Sequence, residues 1–207
     1  MDATQVSVRD VRSVGADTIA LQFETPAGFD AAPGQFVLLR ATVDGEEVSR
    51  HYTLSSPDVN DTFEITVGVD PDGDLSPWLA DLSPGDEVTV EGPFGTVVYD
   101  DTDVVLLAGG PGVGPAVGMA ERALADGYDA AVVYRDDAPA HEERLAALSA
   151  GGATVVLTSD SLDAGVAEAL GRGQVYVFGF SEFVDDALAA VEAAGGDPDD
   201  VKVENFG

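Results

Sequence analysis

The hydrophobic period of this chain changes once, near residue 100, and that change restricts the fold more than any single motif. Before it, "TFEITVGV" (62–69) and "DEVTVEG" (86–92) alternate apolar and polar residues at period two. Such alternation marks half-buried strands. "QFVLLRATV" (35–43) is an apolar strand with a polar end, and turn signals at 26–28, 32–34, 43–45, 71–73 and 83–85 separate the runs. Short strands at this spacing predict an antiparallel barrel or sandwich. After the change, "DVVLLAG", "AAVVY", "ATVVLT", "VYVFG" and "VKVE" recur with Ala-rich stretches between them, at 115–126, 140–149, 162–170 and 181–194. Strand and helix in alternation predict a parallel sheet with helices on both faces. The acidic segment "YDDTD" (99–103) sits at the change, so we expect one domain over 1–99 and another over 103–207.

Charge narrows the function. Thirty-nine Asp and Glu stand against nine Lys and Arg, a formal net charge of −30. Nucleic acid and anionic membrane surfaces are repelled by such a chain. The acid is spread along the whole length and Lys202 is the single lysine. This resembles proteins of a high-salt cytoplasm, where the screening length falls to about 3 Å at 1 M salt. There is no cysteine, which excludes disulfides, Cys-ligated zinc and Cys-bound iron–sulfur clusters. His51 and His141 are too few for a His-rich metal site, so no metal is expected. His141, in the acidic "APAHEERL", is expected to face solvent. No apolar run reaches membrane-span length, and the polar start "MDATQVSVRD" lacks a leader pattern, which predicts a cytoplasmic protein without membrane insertion.

"LLAGGPGVGPAVGMAERAL" (106–124) reads as a strand, a Gly-rich turn and a helix opening at Pro115, where a missing N–H is harmless. Gly109, Gly110, Gly112 and Gly114 permit positive φ and close approach of a ligand to backbone N–H groups, which suits a pyrophosphate. The pattern is not G-x-G-x-x-G, because Pro115 holds the third glycine position. Alone, the turn is equally consistent with a tight strand-to-helix connection.

In order along the chain stand "PGQFV" (33–37), "RHYTLSS" (50–56), "GDLSPWLADLSPGDEVTVEGPFG" (73–95), "AGGPGVGP" (108–115) and "VENFG" (203–207). Together they resemble the ferredoxin–NADP reductase superfamily of flavoproteins, over nearly the whole chain. The resemblance implies a six-stranded Greek-key β-barrel binding FAD, followed by a five-stranded parallel sheet binding NADH or NADPH. It implies that Arg50 pairs with the FAD pyrophosphate, that Tyr52 stacks on the flavin and that Thr53 places a hydroxyl near flavin N5. Gly73, Leu75 and Ser76 match the second FAD segment, and Thr66, Val67 and Gly68 the strand that passes the flavin and ribityl chain. Gly109, Gly110, Pro111, Gly112, Val113 and Pro115 match the dinucleotide loop. Phe206 matches the aromatic that covers the flavin, with Glu204 beside it.

Three positions depart from the family pattern. Pro111 replaces a Ser or Thr, and Phe178, Gly179 and Phe180 replace Cys-Gly-Pro. In "YRDDAP", Arg135 suits a ribose 2′-phosphate, while Asp136 and Asp137 suit a 2′-hydroxyl, which tilts the balance toward NADH. The implied activity is hydride transfer from NAD(P)H to FAD, with electrons passed to a separate carrier: a ferredoxin-like protein, free flavin or quinone. A second reading is a non-catalytic FAD-binding electron-transfer subunit of a larger complex. A third is a nucleotide-binding module without flavin.

Overall fold

A computed structural model describes residues 1–207. Two sheets divide the chain where the period changes. The first contains β1 (Thr4–Gly15), β2 (Thr18–Glu24), β3 (Phe36–Val43), β4 (Glu46–Thr53), β5 (Thr62–Gly68) and β6 (Glu87–Phe94). Their order is β4-β3-β6-β1-β2-β5, with every pairing antiparallel. A bridge between Leu54 and Ile65 joins the two edges, so the sheet closes as a barrel and not as a sandwich. The turn between β3 and β4 is Asp44-Gly45, both at positive φ (52° and 87°). That is the two-residue geometry whose twist matches a hairpin.

Alternation decides which side chains fill the barrel. Val37 and Leu39 of β3, Leu21 and Phe23 of β2, and Phe63, Ile65 and Val67 of β5 are buried in one cluster. Phe29 and Phe23 pack on Phe63, with centroids 4.9 and 5.3 Å away. The short helix α1 (Leu75–Ala80) adds Leu75 and Leu79 to the same core.

The second sheet holds β7 (Val104–Gly109), β8 (Ala130–Arg135), β9 (Thr154–Thr158), β10 (Gln174–Gly179) and β11 (Lys202–Asn205), parallel, in the order β11-β10-β7-β8-β9. Four helices cover it: α2 (Val113–Ala125), α3 (Glu142–Ala150), α4 (Asp163–Ala169) and α5 (Ser181–Ala193). Along β7, Val104, Leu106 and Ala108 pack toward α2 and α3, while Val105 and Leu107 pack toward α4 and α5. Burial on both faces explains why these strands are unbroken apolar runs in the sequence. No helix is long and apolar enough to cross a membrane.

The helix after the glycine turn begins at Val113, not at Pro115, preceded by a 3-10 turn over Gly110–Gly112. Its glycines at 114 and 118 lie one turn apart and face the barrel. A Cβ at Gly114 would overlap Thr66, and one at Gly118 would overlap the Ser55 carbonyl. The two halves are thus in backbone-close contact along this helix.

Candidate cofactor-binding site

A cavity of about 630 Å³ opens between the sheets. That is within the range of small-molecule sites. From the barrel, Arg50, Tyr52 and Thr53 of β4 and Thr66 and Gly68 of β5 reach it. The segment Gly73 to Ser76 adds to the same wall, and Gly110, Pro111, Pro115, Asp136, Phe180 and Phe206 line it from the second half. Period two puts Arg50 and Tyr52 on one side of β4.

Arg50 is the distinctive charge of this wall. Seven of the nine cations are salt-bridged, and only Arg50 and Arg172 lack an acidic partner. Arg50 donates only to the neighbouring Ser49 carbonyl, at 2.8 Å. In a chain of net charge −30, a guanidinium left free at a cavity is poised for an anion. Burial pushes the Tyr52 phenol up to about 12, with the Arg50 charge partly opposing, so the ring stays neutral beside it. Ser76 Oγ accepts the Asp70 N–H at 3.0 Å, which ties the Gly73–Ser76 turn together.

The glycine turn is less open than its composition suggests. Only Gly110 has a positive φ, 55°, with nothing within 4 Å of a Cβ built there. Gly109 and Gly112 have φ of −124° and −60°. A Cβ at Gly109 would strike the Phe183 ring, and one at Gly112 the Phe178 carbonyl. These two glycines, with Gly114, allow internal packing. Gly110 is the one that leaves backbone exposed to a ligand.

Several residues singled out from the sequence lie outside the cavity wall. Val67 and Val113 are in the hydrophobic cores. Phe178 is fully buried and stacked on Tyr176, with centroids 6.4 Å apart and planes 3° from parallel. Gly179 is packed under Phe183. Arg135 turns away to Asp186 at 2.8 Å and lies over the Phe183 ring at 5.1 Å. Glu204 is half-buried on β11 and does not line the cavity; burial raises its carboxyl above the ordinary value. Phe180, not Phe178, is the aromatic that reaches the cavity from this strand end.

His141 also differs from expectation. It is 4% exposed, at the start of α3, and its Nε2 lies 2.8 Å from Thr66 Oγ1. Burial, with the Arg144 and Arg12 charges adding, depresses its imidazole to about 3. Beside it, Arg144 Nη1 donates to Glu64 Oε1 at 3.1 Å, and its Nη2 donates to the Ser55 carbonyl at 2.8 Å and Glu121 Oε2 at 2.7 Å. Arg12 Nη2 donates to the other oxygen of Glu64 at 2.5 Å. This polar interface joins residues far apart in sequence. Its one legible trace is the pair Gly114 and Gly118, spaced for close helix packing. The wall also includes Asp17, Thr18, Val69 and Asp70, and, from within the quoted motifs but given no role there, His51, Asp74 and Ala138.

Residues 5–99 match the family described as the oxidoreductase FAD-binding domain. The match covers just under half of the chain. The chain is 43% identical over 107 residues to a glycine betaine monooxygenase reductase subunit of Chromohalobacter salexigens, covering 49% of this chain and 29% of that protein. It is 33% identical over 231 aligned positions to the ferredoxin reductase component of a 3-ketosteroid-9-alpha-monooxygenase of Mycolicibacterium smegmatis, covering 98% of this chain and 65% of the relative. The chain thus spans less than two thirds of the length of these relatives. A ferredoxin NADP+ reductase structure from Neisseria gonorrhoeae superposes with a TM-score of 0.80 at 19% identity, covering all of both chains. That likeness concerns the fold.

The residues present fit an FAD. Its pyrophosphate requires a free cation, and Arg50 supplies one. Its flat ring system requires aromatic and hydroxyl neighbours, which Tyr52, Phe206 and Thr53 supply in the same cavity.

Proposed function

We propose that this chain is an FAD-dependent oxidoreductase that takes reducing equivalents from a nicotinamide dinucleotide and passes them to a separate electron carrier. The observation that carries the reading is the unpaired Arg50 guanidinium in a cavity that also contains Tyr52 and Phe206. FAD, when bound, supplies the redox chemistry: it accepts hydride from NAD(P)H and releases electrons singly or in pairs. Arg50 neutralises the pyrophosphate, and the Tyr52 ring limits the tilt of the flavin. Thr53 presents its hydroxyl to the cofactor, Thr66 forms part of the wall beside it, and Phe206 excludes water from its second face. Gly110 lets the dinucleotide approach the backbone. We divide the chain into the two working domains at Tyr99 to Asp103.

We favour NADH over NADPH. Arg135 is held by Asp186 and Phe183, and both Asp136 oxygens accept hydrogen bonds, from the Tyr134 hydroxyl at 3.1 Å and the Ala138 N–H at 2.8 Å. A 2′-phosphate placed there would meet a carboxylate and no free cation. We place the acceptor outside residues 1–207, because without cysteine they hold no iron–sulfur cluster in the usual way. A small redox protein is our first choice, by analogy with the oxygenase reductase relatives, ahead of free flavin or quinone. The dinucleotide donor supports a cytoplasmic setting, and the dispersed acid supports salt adaptation.

Anaerobic titration tests this reading. The purified protein should be yellow, and NADH should bleach it at lower concentration than NADPH. Colour without bleaching by either dinucleotide would leave only an electron-transfer subunit. A colourless protein that takes up no added FAD would refute the flavoprotein reading.

A further inference from the structure

Thr66 reaches the cavity from the barrel, but its hydroxyl is held by the other half of the chain. His141 Nε2 is 2.8 Å from Thr66 Oγ1. On another side Gly114 leaves no room for a Cβ against that same oxygen. The imidazole is itself aimed by its backbone. His141 sits at φ 54°, an uncommon conformation for a residue with a Cβ, and its N–H donates to the Val14 carbonyl at 2.7 Å. The end of β1 therefore anchors the loop before α3, and the loop points the ring at β5.

Threonine is β-branched, so χ1 has few choices, and a hydrogen bond to the hydroxyl selects among them. We propose that His141 is a positioning residue for the FAD side of the cavity: it fixes the Thr66 side chain, so that β5 presents an ordered wall only when the two halves are docked. This rests on the FAD-binding reading above. It assigns part of FAD affinity to a residue outside the matched FAD-binding segment, 5–99.

The test compares holoproteins carrying His141→Gly, His141→Gln and Arg144→Met with wild type. Readouts are the FAD dissociation constant from flavin fluorescence, the visible circular dichroism of bound FAD, and the melting temperature of the FAD-free protein. Glycine tolerates the backbone conformation but removes the bond, so affinity should fall about three- to tenfold, as for one hydrogen bond, and the dichroism should change. Glutamine keeps a polar nitrogen within reach and should restore both. Arg144→Met breaks ion pairs across the same interface without touching Thr66, so it should lower the melting temperature and leave affinity and dichroism unchanged. Should the glycine variant not fold, Thr66→Val removes the same bond from the other side and should reproduce the FAD effects.

Unchanged affinity and dichroism in the glycine variant, or in Thr66→Val, would overturn the proposal. So would failure of glutamine to restore them, or an equal effect from Arg144→Met, which would mean that any loosening of the interface suffices. Wild type that binds no FAD overturns this inference together with the functional reading. Wild type that binds FAD, with variants that match it, overturns this inference alone.

Discussion

Phe180 meets Phe206 edge to face, with ring centroids 5.8 Å apart and planes at 89°. Both rings line the cavity. Phe180 is otherwise 53% exposed, so its main partner on this side is the Phe206 ring. Phe206 is held further by its N–H, which donates to the Gly179 carbonyl at 2.9 Å. Gly207 is held by the Ser181 N–H and Oγ, which donate to its carbonyl at 3.2 and 3.0 Å. The ring is clamped at its backbone and braced at its edge.

If Phe206 covers the flavin face as proposed, Phe206→Ala removes that competitor and should lower the apparent dissociation constant of the nicotinamide. An aromatic stack contributes about 0.5 to 1.5 kcal/mol beyond area burial, so the change should be up to roughly tenfold. Phe180→Ala removes only the brace and should shift the constant in the same direction by less. Stopped-flow flavin reduction over a range of NADH and NADPH measures both. Equal constants in all three proteins would mean that neither ring gates the site.

Arg50→Ala should weaken FAD binding by about 1.5 to 3 kcal/mol, the range for a hydrogen bond to a charged group. Arg50 has no acidic partner and donates only to the neighbouring Ser49 carbonyl, so the melting temperature of the FAD-free protein should hardly move. Full FAD occupancy after extensive dialysis of the mutant would remove the role given to Arg50.

The fold was legible because both halves carry their period openly. Leu39, Phe63, Ile65 and Val67 fill the barrel, and Val104 to Ala108 pack on both faces of the parallel sheet. The cavity wall was legible where local motifs carry it: Arg50, Tyr52 and Thr53 share a strand, and Gly110 and Pro111 share a turn. It was illegible where a residue's use depends on distant neighbours. Gly109, Gly112 and Gly114 look alike in sequence, yet each is required by a different side chain or carbonyl, from Phe183, Phe178 and Thr66. Phe178 and Phe180 are two positions apart; one is core and the other lines the cavity. His141 precedes an acidic helix and reads as a surface residue, while the strand that buries it, β5, lies 75 residues earlier.

Salt should raise the melting temperature steadily from millimolar to molar concentration. Screening acts in two directions here. It weakens attraction at the seven paired cations, most of them at least partly exposed and so worth about 0 to 1 kcal/mol each. It also weakens repulsion among 39 carboxylates that outnumber the cations fourfold. Repulsion is the larger sum, so its relief should dominate. A melting temperature that is flat or falling with salt would contradict the reading of salt adaptation.

His141 should make folding stability depend on pH below neutrality. Its imidazole lies at about 3 in the fold against an ordinary 6.5, first because it is buried and then because Arg144 and Arg12 face it. The folded state therefore leaves the ring neutral across the interval in which the unfolded chain protonates it. Between those values the unfolded state binds more protons, so stability rises with pH. The contribution is complete above about 6.5 and is lost as pH falls toward 3. One proton changes the slope by at most about 1.4 kcal/mol per pH unit. Glu64 and Glu121, the carboxylates of the same interface, are present in wild type and in His141→Gln alike. The difference between the two proteins thus isolates the ring. Urea unfolding at fixed salt should show wild type losing more stability from pH 7 to pH 5 than His141→Gln does. Parallel pH profiles would mean that the ring takes up its proton in the folded state as readily as in the unfolded chain, and that it is not sealed between the two halves.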